Sequence, residues 1–440
     1  MKSICLFFHA HQPFRHRRYR FFDIGNYHHY YDDYSNETIM RRVAGKSYLP
    51  TNELLLTLAN KLKEKFKVSF SITGLALEQF ELSSPEVIES FKKLTLTGCV
   101  EFLSETYSHA LSSLKNPDVF EKQVRMHEEC IFGLFGQKPK VFRNTEMIYS
   151  DKIGTLVAKM GYKGILTEGV KQILGQKSPN YVYKNATNPN IKILMRNSKL
   201  SNDISFGFLN KNQSGFPLTA EKLINRLEKT GKKDEVVNIF LNYESFGEYQ
   251  PKESGIFDFL ENFITLVANS PILKFATPSG IIEELQPVSA ISVPRPVSWA
   301  DKECGINTWL GNDMQKEAYK KLYSLSKIMG KCSNPELQKD WNYLQASDYF
   351  YSMSTKNYSQ GSHQNLFDPF NTPYEAFINY MNVLSDFKIR LSSLEPENKI
   401  ENEIASLHKL IDEKEKKIKK MEAELLQFKK RKNKKSTGNA

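Results

Sequence analysis

Cysteine is scarce in this 440-residue chain. The five that occur, Cys5, Cys99, Cys130, Cys304 and Cys332, are odd in number, widely scattered and without CxxC or Cys–His spacing. That usage excludes a disulfide framework and a cysteine-based zinc site, and it fits a reducing compartment. Long apolar runs are lacking as well: nothing approaches the ~20 residues needed to cross a bilayer. The apolar part of the opening MKSICLFFHAHQP is too short for a signal-peptide core and runs into His, Gln and Pro, so it reads as a first strand. A cytoplasmic protein with no membrane partner is expected. Nucleic-acid-binding signatures are missing too, despite a formal charge of +11. Residues Glu397 to Ala440 hold 13 Lys and Arg against 8 Asp and Glu, ending in KKRKNKK at Lys429–Lys435. The excess is therefore concentrated in a tail, and 431–440 reads as a solvated, disordered end with no specific nucleic-acid partner.

What is present is a recurrent strand pattern in a chain that is 40% hydrophobic, ample for a large core and more than one domain. Short apolar runs at Ile4–Phe8, Val68–Ile72, Val100–Leu103, Val141–Arg143, Gly164–Leu166, Ile191–Met195, Val236–Leu241 and Leu273–Ala276 each end in polar residues. Helical stretches lie between them, among them Thr51–Phe66, Pro117–Leu134 and Gly255–Ala268. Alternating strand and helix argue for parallel βαβ units, and this many of them for a closed barrel. The expected fold class is α/β: seven or eight strands in a TIM-like barrel over 1–287. In such barrels the site lies at the strands' C-terminal ends, where His11, Glu105, His109, Glu146, Glu168, Asn242 and Glu244 fall.

Past Pro287 a proline-bearing connection leads to helical patterns at Met314–Ile328, Pro335–Tyr351 and Pro373–Leu391, read as a helical domain over 288–395. Beyond Pro396 a heptad sets in. Ile404, Ile411, Ile418 and Leu425 repeat every seven residues, and Ile400, Leu407, Met421 and Phe428 fill the second apolar position, with Lys414 the one interruption. This predicts a coiled coil over 396–430, pairing two parallel chains in a homodimer; an amphipathic helix folded back on its own chain is the alternative.

Two segments carry candidate chemistry, VFRNTEMIY at Val141–Tyr149 and IFLNYESFGEYQ at Ile239–Gln250. Glycosidic-bond cleavage uses two carboxyl groups, one nucleophile or base and one proton donor. The first segment offers Glu146 beside Arg143; the second offers an amide, Asn242, with Glu244 two residues on along the strand and about 7 Å away, too far to substitute for it without a backbone change. His9 and His11 share a strand face and could touch sugar or metal, but no third ligand follows nearby, and neither metal nor cofactor is expected. Glu101, Glu105 and His109 cluster in VEFLSETYSHAL. Trp299, Trp309, Tyr349 and Phe350 could stack on sugar rings or pack in the core.

The motifs together resemble those of glycoside hydrolase family 57, whose members include retaining α-amylases and 4-α-glucanotransferases on an incomplete seven-stranded barrel. The His-Gln-Pro signature is His11-Gln12-Pro13; the second region resembles Gly98–Leu103 followed by ETYSH; VFRNTEMIY resembles the nucleophile region. LNYESFGEYQ resembles the fourth region, SWAD at Ser298–Asp301 with TWLGN at Thr308–Asn312 the fifth, and LQASDYFYSMST the helical domain of the α-amylase branch. The resemblance implies that Glu146 is the nucleophile and that Asn242 stands where the family carries an Asp as general acid/base. It also implies α-glucan contacts from His9, His11, Glu101, His109, Arg143, Glu244, Trp299, Asp301, Trp309 and Asp348. An amide cannot deliver or take up a proton, and positioned proton transfer is worth about 10²–10⁴-fold in rate. The expectation is an α-amylase-like protein that binds α-1,4-glucan and hydrolyses it weakly or not at all; the alternative is an active α-amylase or 4-α-glucanotransferase recruiting another acid.

Overall fold

A computed structural model describes residues 1–209, 217–231, 233–300, 303–356 and 369–393, and, between 404 and 421, all but 405, 406, 412, 419 and 420. Ten strands are present among these residues: β1 Lys2–Ala10, β2 Val68–Ile72, β3 Val100–Phe102, β4 Val141–Arg143, β5 Gly164–Glu168, β6 Val182–Asn185, β7 Lys192–Arg196, β8 Val236–Asn242, β9 Leu273–Phe275 and β10 Ser289–Ile291.

Seven of them close a ring. β1 lies parallel between β2 and β8, β2 pairs β3, β4 pairs β5, β5 pairs β7, and β7 meets β8. The remaining seam is a single parallel bridge, Ser104 to Phe142, held by Ser104 N–H to Val141 O at 3.0 Å and Arg143 N–H to Ser104 O at 2.8 Å. The β7–β8 seam is equally thin, one paired position at Arg196 and Asn238. This is a mostly parallel (β/α)7 barrel with two weak seams, while β9 adds to the free end of β1 and β6 and β10 extend from β7.

The strand sequences explain their place. KSICLFFHA is apolar on both faces, as a strand buried between barrel interior and helices must be. Phe8 packs on Phe70, Tyr243 and Phe246 in the layer beneath the helices, and Phe7 meets Phe240 edge-on inside the barrel. Each such ring taken out of water contributes about 1.5–3 kcal/mol. The intervening helices start on side-chain caps. Thr73 caps Gly74–Ser83, Asn116 caps Pro117–Phe135, and Ser150 caps Asp151–Lys159, each by accepting a backbone N–H three residues on.

Two of the three helices expected after Pro287 are broken into shorter pieces, Asp313–Ser324 with Ser326–Met329 and Pro335–Leu344 with Ser347–Ser352, while the third runs unbroken over Pro373–Ser393. The second break is made by the barrel. Ala346 forms an antiparallel bridge with Ala110, and Ser347 N–H donates to His109 O at 3.0 Å. The broken helices lie within one compact unit, Met1–Leu384, that also holds the whole barrel. The boundary expected at 287/288 falls inside that unit.

Ser385–Ala440 forms a second unit. Its described residues between 404 and 421 are helical, and Ile404, Leu407, Ile411, Ile418 and Met421 are about half exposed. Ile400, Leu425, Phe428 and the basic run Lys429–Lys435 lie outside the described residues. No described helix is long and apolar enough to cross a membrane.

Candidate active site

The C-terminal ends of the barrel strands converge on a cavity of about 120 Å³ whose lining includes His11, His109, Glu146, Asn242, Glu244, Trp299 and Asp348. Register places the first groups. His9 on β1 is the Cα partner of both Ser71 on β2 and Asn242 on β8, so the three point to one side of the sheet. Asn242 lines the cavity and makes no side-chain hydrogen bond to another described residue.

Glu146 is delivered by the turn Thr145–Met147 after β4. Asn144 Nδ2 donates to Ile148 O at 2.8 Å and to Ser113 Oγ at 3.0 Å, and Thr145 Oγ1 donates to Ala110 O at 2.8 Å, pinning both sides of the turn. Inside it Glu146 and Met147 take left-handed backbone, φ 53° and 55°, a conformation that costs a non-glycine residue about 1–3 kcal/mol and is found at sites. Both carboxylate oxygens are engaged. His109 Nε2 donates to Oε1 at 3.1 Å and Trp299 Nε1 to Oε2 at 2.7 Å. Burial opposes charge on Glu146, but His109, Arg143 and Trp299 outweigh it and hold the group below the ordinary carboxylate range.

Glu105 is the hub behind the cavity. Fully buried, it accepts from Ser71 Oγ, lies 3.4 Å from His109 Nδ1 and from Arg143 Nη1, and 3.3 Å from His9 Nε2. With a carboxylate on each ring nitrogen, His109 carries both protons: burial alone would lower it, and its bonds to Glu105 and Glu146 raise it to about 9. His9, buried and 3.1 Å from the Arg143 guanidinium, is held neutral, down to about 3. His11 donates or accepts at Thr73 Oγ1 and Asp348 Oδ2, both at 2.8 Å, and its ring stacks on that of His109 at 4.2 Å. Asp348 comes from the short helix Ser347–Ser352, whose start is set by the bridge to the barrel. Against its burial, His11 holds Asp348 well below the usual range.

The remaining expected site residues are placed as follows. Arg143 stands behind Glu146 between Glu105 and the Trp299 ring, 5.9 Å from its centroid. Arg196, ion-paired to Glu168 at 3.1 Å, lies 5.6 Å from the same ring. Glu101 does not line the cavity: it sits mid-strand on β3 and accepts from Ser279 N–H at 3.1 Å, in the first turn of helix Pro278–Glu284, where a helix end favours an anion. Trp309 does not line it either and is 1% exposed, a core residue. Asp301 lies outside the described residues. Tyr48 and Tyr249 enter the site unforeseen. Tyr48 donates to Glu244 from a helical stretch with no motif to mark it, and Tyr249 lines the cavity from the end of SFGEYQ. Gly247 allows that loop its course: at φ 97° it approaches Lys46 O so closely that a Cβ would clash.

The expected absence of a metal rested on the lack of a third ligand near His9 and His11. The fold supplies one set, since ligand atoms of His9, Glu105 and His109 lie within 4.8 Å of one another. Arg143 Nη1 contacts His9 and Glu105 at 3.1 and 3.4 Å, so a guanidinium already supplies the positive charge there. The donor set does not fit a cation in addition.

A barrel of seven parallel strands, with an anionic glutamate on the turn after β4 and a pocket at the strands' C-terminal ends, has the fold of a barrel enzyme with its candidate site where such enzymes keep theirs. Residues 5–294 match the model of Glycosyl hydrolase family 57. The chain is 40% identical over 376 residues to the "Putative alpha-amylase" of Methanocaldococcus jannaschii, covering 83% of this chain and 79% of that protein. This chain belongs to glycosyl hydrolase family 57. Among solved structures it is similar in fold to the 4-alpha-glucanotransferase of Thermococcus litoralis, with TM-score 0.65 and 16% identity over 88% of this chain and 59% of that longer one. A branching enzyme of Thermococcus kodakaraensis gives TM-score 0.63 at 14% identity, covering 89% and 90% of the two chains. An alpha-amylase of Thermotoga maritima gives 0.58 at 15%, covering 90% and 96%.

Proposed function

We propose that this chain binds α-1,4-glucan in the cavity between Glu146 and Asn242, with Glu146 as a retaining-type nucleophile and Asn242 at the position of the missing acid/base. The observation that carries the reading is the contrast between those two residues. Glu146 is held anionic by an imidazolium and an indole N–H, whereas Asn242, on the same cavity, has no proton to give. An anionic nucleophile without an acid at the leaving oxygen attacks good leaving groups and leaves poor ones in place. Glucan binding with slow hydrolysis follows. Contacts to sugar fall to His9, His11, His109, Glu244, Trp299 and Asp348, with Arg143 supporting them from behind.

The helices after Pro287 act in this reading as a domain that completes the cavity through Asp348, and the heptad after Pro396 joins two chains in the cytoplasm. Family relatives named as amylase, branching enzyme and glucanotransferase support the α-glucan class. The test is a crystal soaked with maltopentaose together with calorimetric titration and reducing-end release from soluble starch. Sugar electron density at Glu146 with measurable binding and slow release supports the reading. Rapid hydrolysis, or no binding, refutes it.

A further inference from the structure

Of four described carboxyl groups at or behind the cavity, three are held as anions by cationic or imidazole neighbours: Glu105 by His109 and Arg143, Glu146 by His109, and Asp348 by His11. Glu244 differs. It is 4% exposed and has no ion pair among the described residues. Its partners are the neutral Tyr48 hydroxyl, the His11 backbone N–H and the Gln12 side chain. Tyr243 and Tyr249 flank it, while Arg42 pairs with Glu248 at 3.1 Å and Arg15 donates to Gln12 Oε1 at 3.0 Å. Burial raises Glu244 to about 7.

Position agrees with environment. β8 ends at Asn242, and the chain turns at once into the 3-10 turn Tyr243–Ser245, so the separation of Glu244 from Asn242 is not that of an extended strand. The turn lays the Glu244 carboxylate against the His11 backbone, while the His11 ring stacks on His109, which binds Glu146. Glu146 and Glu244 thus line the same cavity, Glu146 bonded to the His109 ring and Glu244 to the His11 backbone. One carboxyl driven down and one driven up, in one pocket, is the arrangement that assigns nucleophile and acid in retaining glycosidases.

We propose that Glu244 is the proton donor of this site and carries the residual glycosidic chemistry that Asn242 cannot. The proposal rests on the reading of Glu146 as nucleophile. In the first step a Glu146 oxygen bonds to the anomeric carbon, the bond to the leaving glucosyl oxygen breaks, and the Glu244 proton goes to that oxygen. In the second step the Glu244 carboxylate takes a proton from water, whose oxygen bonds to the anomeric carbon and releases Glu146 as a carboxylate.

The test compares wild type, Glu244→Gln and Glu146→Gln on two substrates, α-maltotriosyl fluoride, whose leaving group needs no proton, and phenyl α-maltotrioside, whose leaving group benefits from one. Glu244→Gln should slow phenol release about 10-fold or more beyond any loss it causes in initial fluoride release, and abolish the alkaline limb near pH 7 of the phenyl profile. Tyr48→Phe keeps the carboxyl but removes a bond that favours its anion, so that limb should move to higher pH. Equal losses on both substrates, no loss on either, wild type inert to the phenyl substrate, or an unmoved limb in Tyr48→Phe would each overturn the proposal. A Glu146→Gln variant that releases fluoride as fast as wild type would instead overturn the reading of Glu146, whatever Glu244 does.

Discussion

His109 and Glu146 are joined by a 3.1 Å hydrogen bond and share the same left-handed backbone, φ 53° at each. Two non-glycine residues in that region cost about 1–3 kcal/mol apiece. The His109 backbone is fixed by Ser347, whose N–H its carbonyl accepts at 3.0 Å, and by its own N–H to Thr106 O at 3.1 Å. The strain is thus held by contacts from two sides, one of them from the helices after the barrel.

The bond sets the charge of Glu146. Against burial, His109 is the chief group holding Glu146 below the ordinary range. Replacing it by glutamine leaves a hydrogen-bond donor and removes the cation. The acid limb of fluoride release from α-maltotriosyl fluoride should then move up by about 1–3 pH units. A limb that stays in place would show that Arg143 and Trp299 alone keep Glu146 ionised.

Asn242→Asp restores a carboxyl group at the end of β8, in register with His9. Hydrolysis of maltopentaose should rise by about 10²–10⁴-fold, the value of positioned proton transfer. An unchanged rate in a variant that still binds maltopentaose would mean that proton supply does not limit this site.

Glu244 also leaves a mark on stability. Its folded value, about 7, lies above the ordinary 4.5, so its contribution to wild-type stability is fully present below pH 4.5 and is lost as pH rises to about 7. Glutamine does not titrate. Relative to wild type, Glu244→Gln should therefore gain stability between pH 4.5 and 7 and hold the gain above it, on the order of 1–3 kcal/mol. His109 acts at the other end, its contribution lost as pH rises through about 9, in both proteins alike. Parallel denaturation curves for the two proteins from pH 4 to 8 would show that Glu244 is not buried as a protonated acid.

The strands of the barrel were legible because each is an apolar run ended by a polar motif, and the eight expected runs all correspond to strands. β6 and β10 were not, since VYKN alternates polar and apolar residues and SAI lies in a proline-bearing connection. The site was legible where a motif marks it, at Glu146, Asn242, His11 and His109. It was not where the decision depends on which way a mid-strand or helical side chain faces. Glu101 and Glu105 are four residues apart in one motif, yet one caps a helix and the other anchors the imidazoles. Trp299 and Trp309 differ likewise, one bound to Glu146 and one buried in the core. Local sequence carries no signal for such a choice, because it is made by contacts with other elements, 178 residues away for Glu101 and 153 for Trp299.

The heptad poses a question of solution state. In the second unit the apolar side chains of Ile404, Leu407, Ile411, Ile418 and Met421 are each about half exposed on helical backbone. An isolated helix of this length is marginal in water unless its apolar stripe is covered. Ile at three of the four first-type heptad positions favours a parallel pair, and Lys414 in the seam favours a single register over maximal stability. Pairing would also put two glucan sites on one stalk, which raises apparent affinity for a long chain without any new contact. Full-length protein should sediment as a dimer, and a chain ending at Leu394 as a monomer with an unchanged affinity for maltopentaose but weaker binding to soluble starch. Two monomers of equal starch affinity would assign the heptad to a helix packed within its own chain and remove the argument from bivalency.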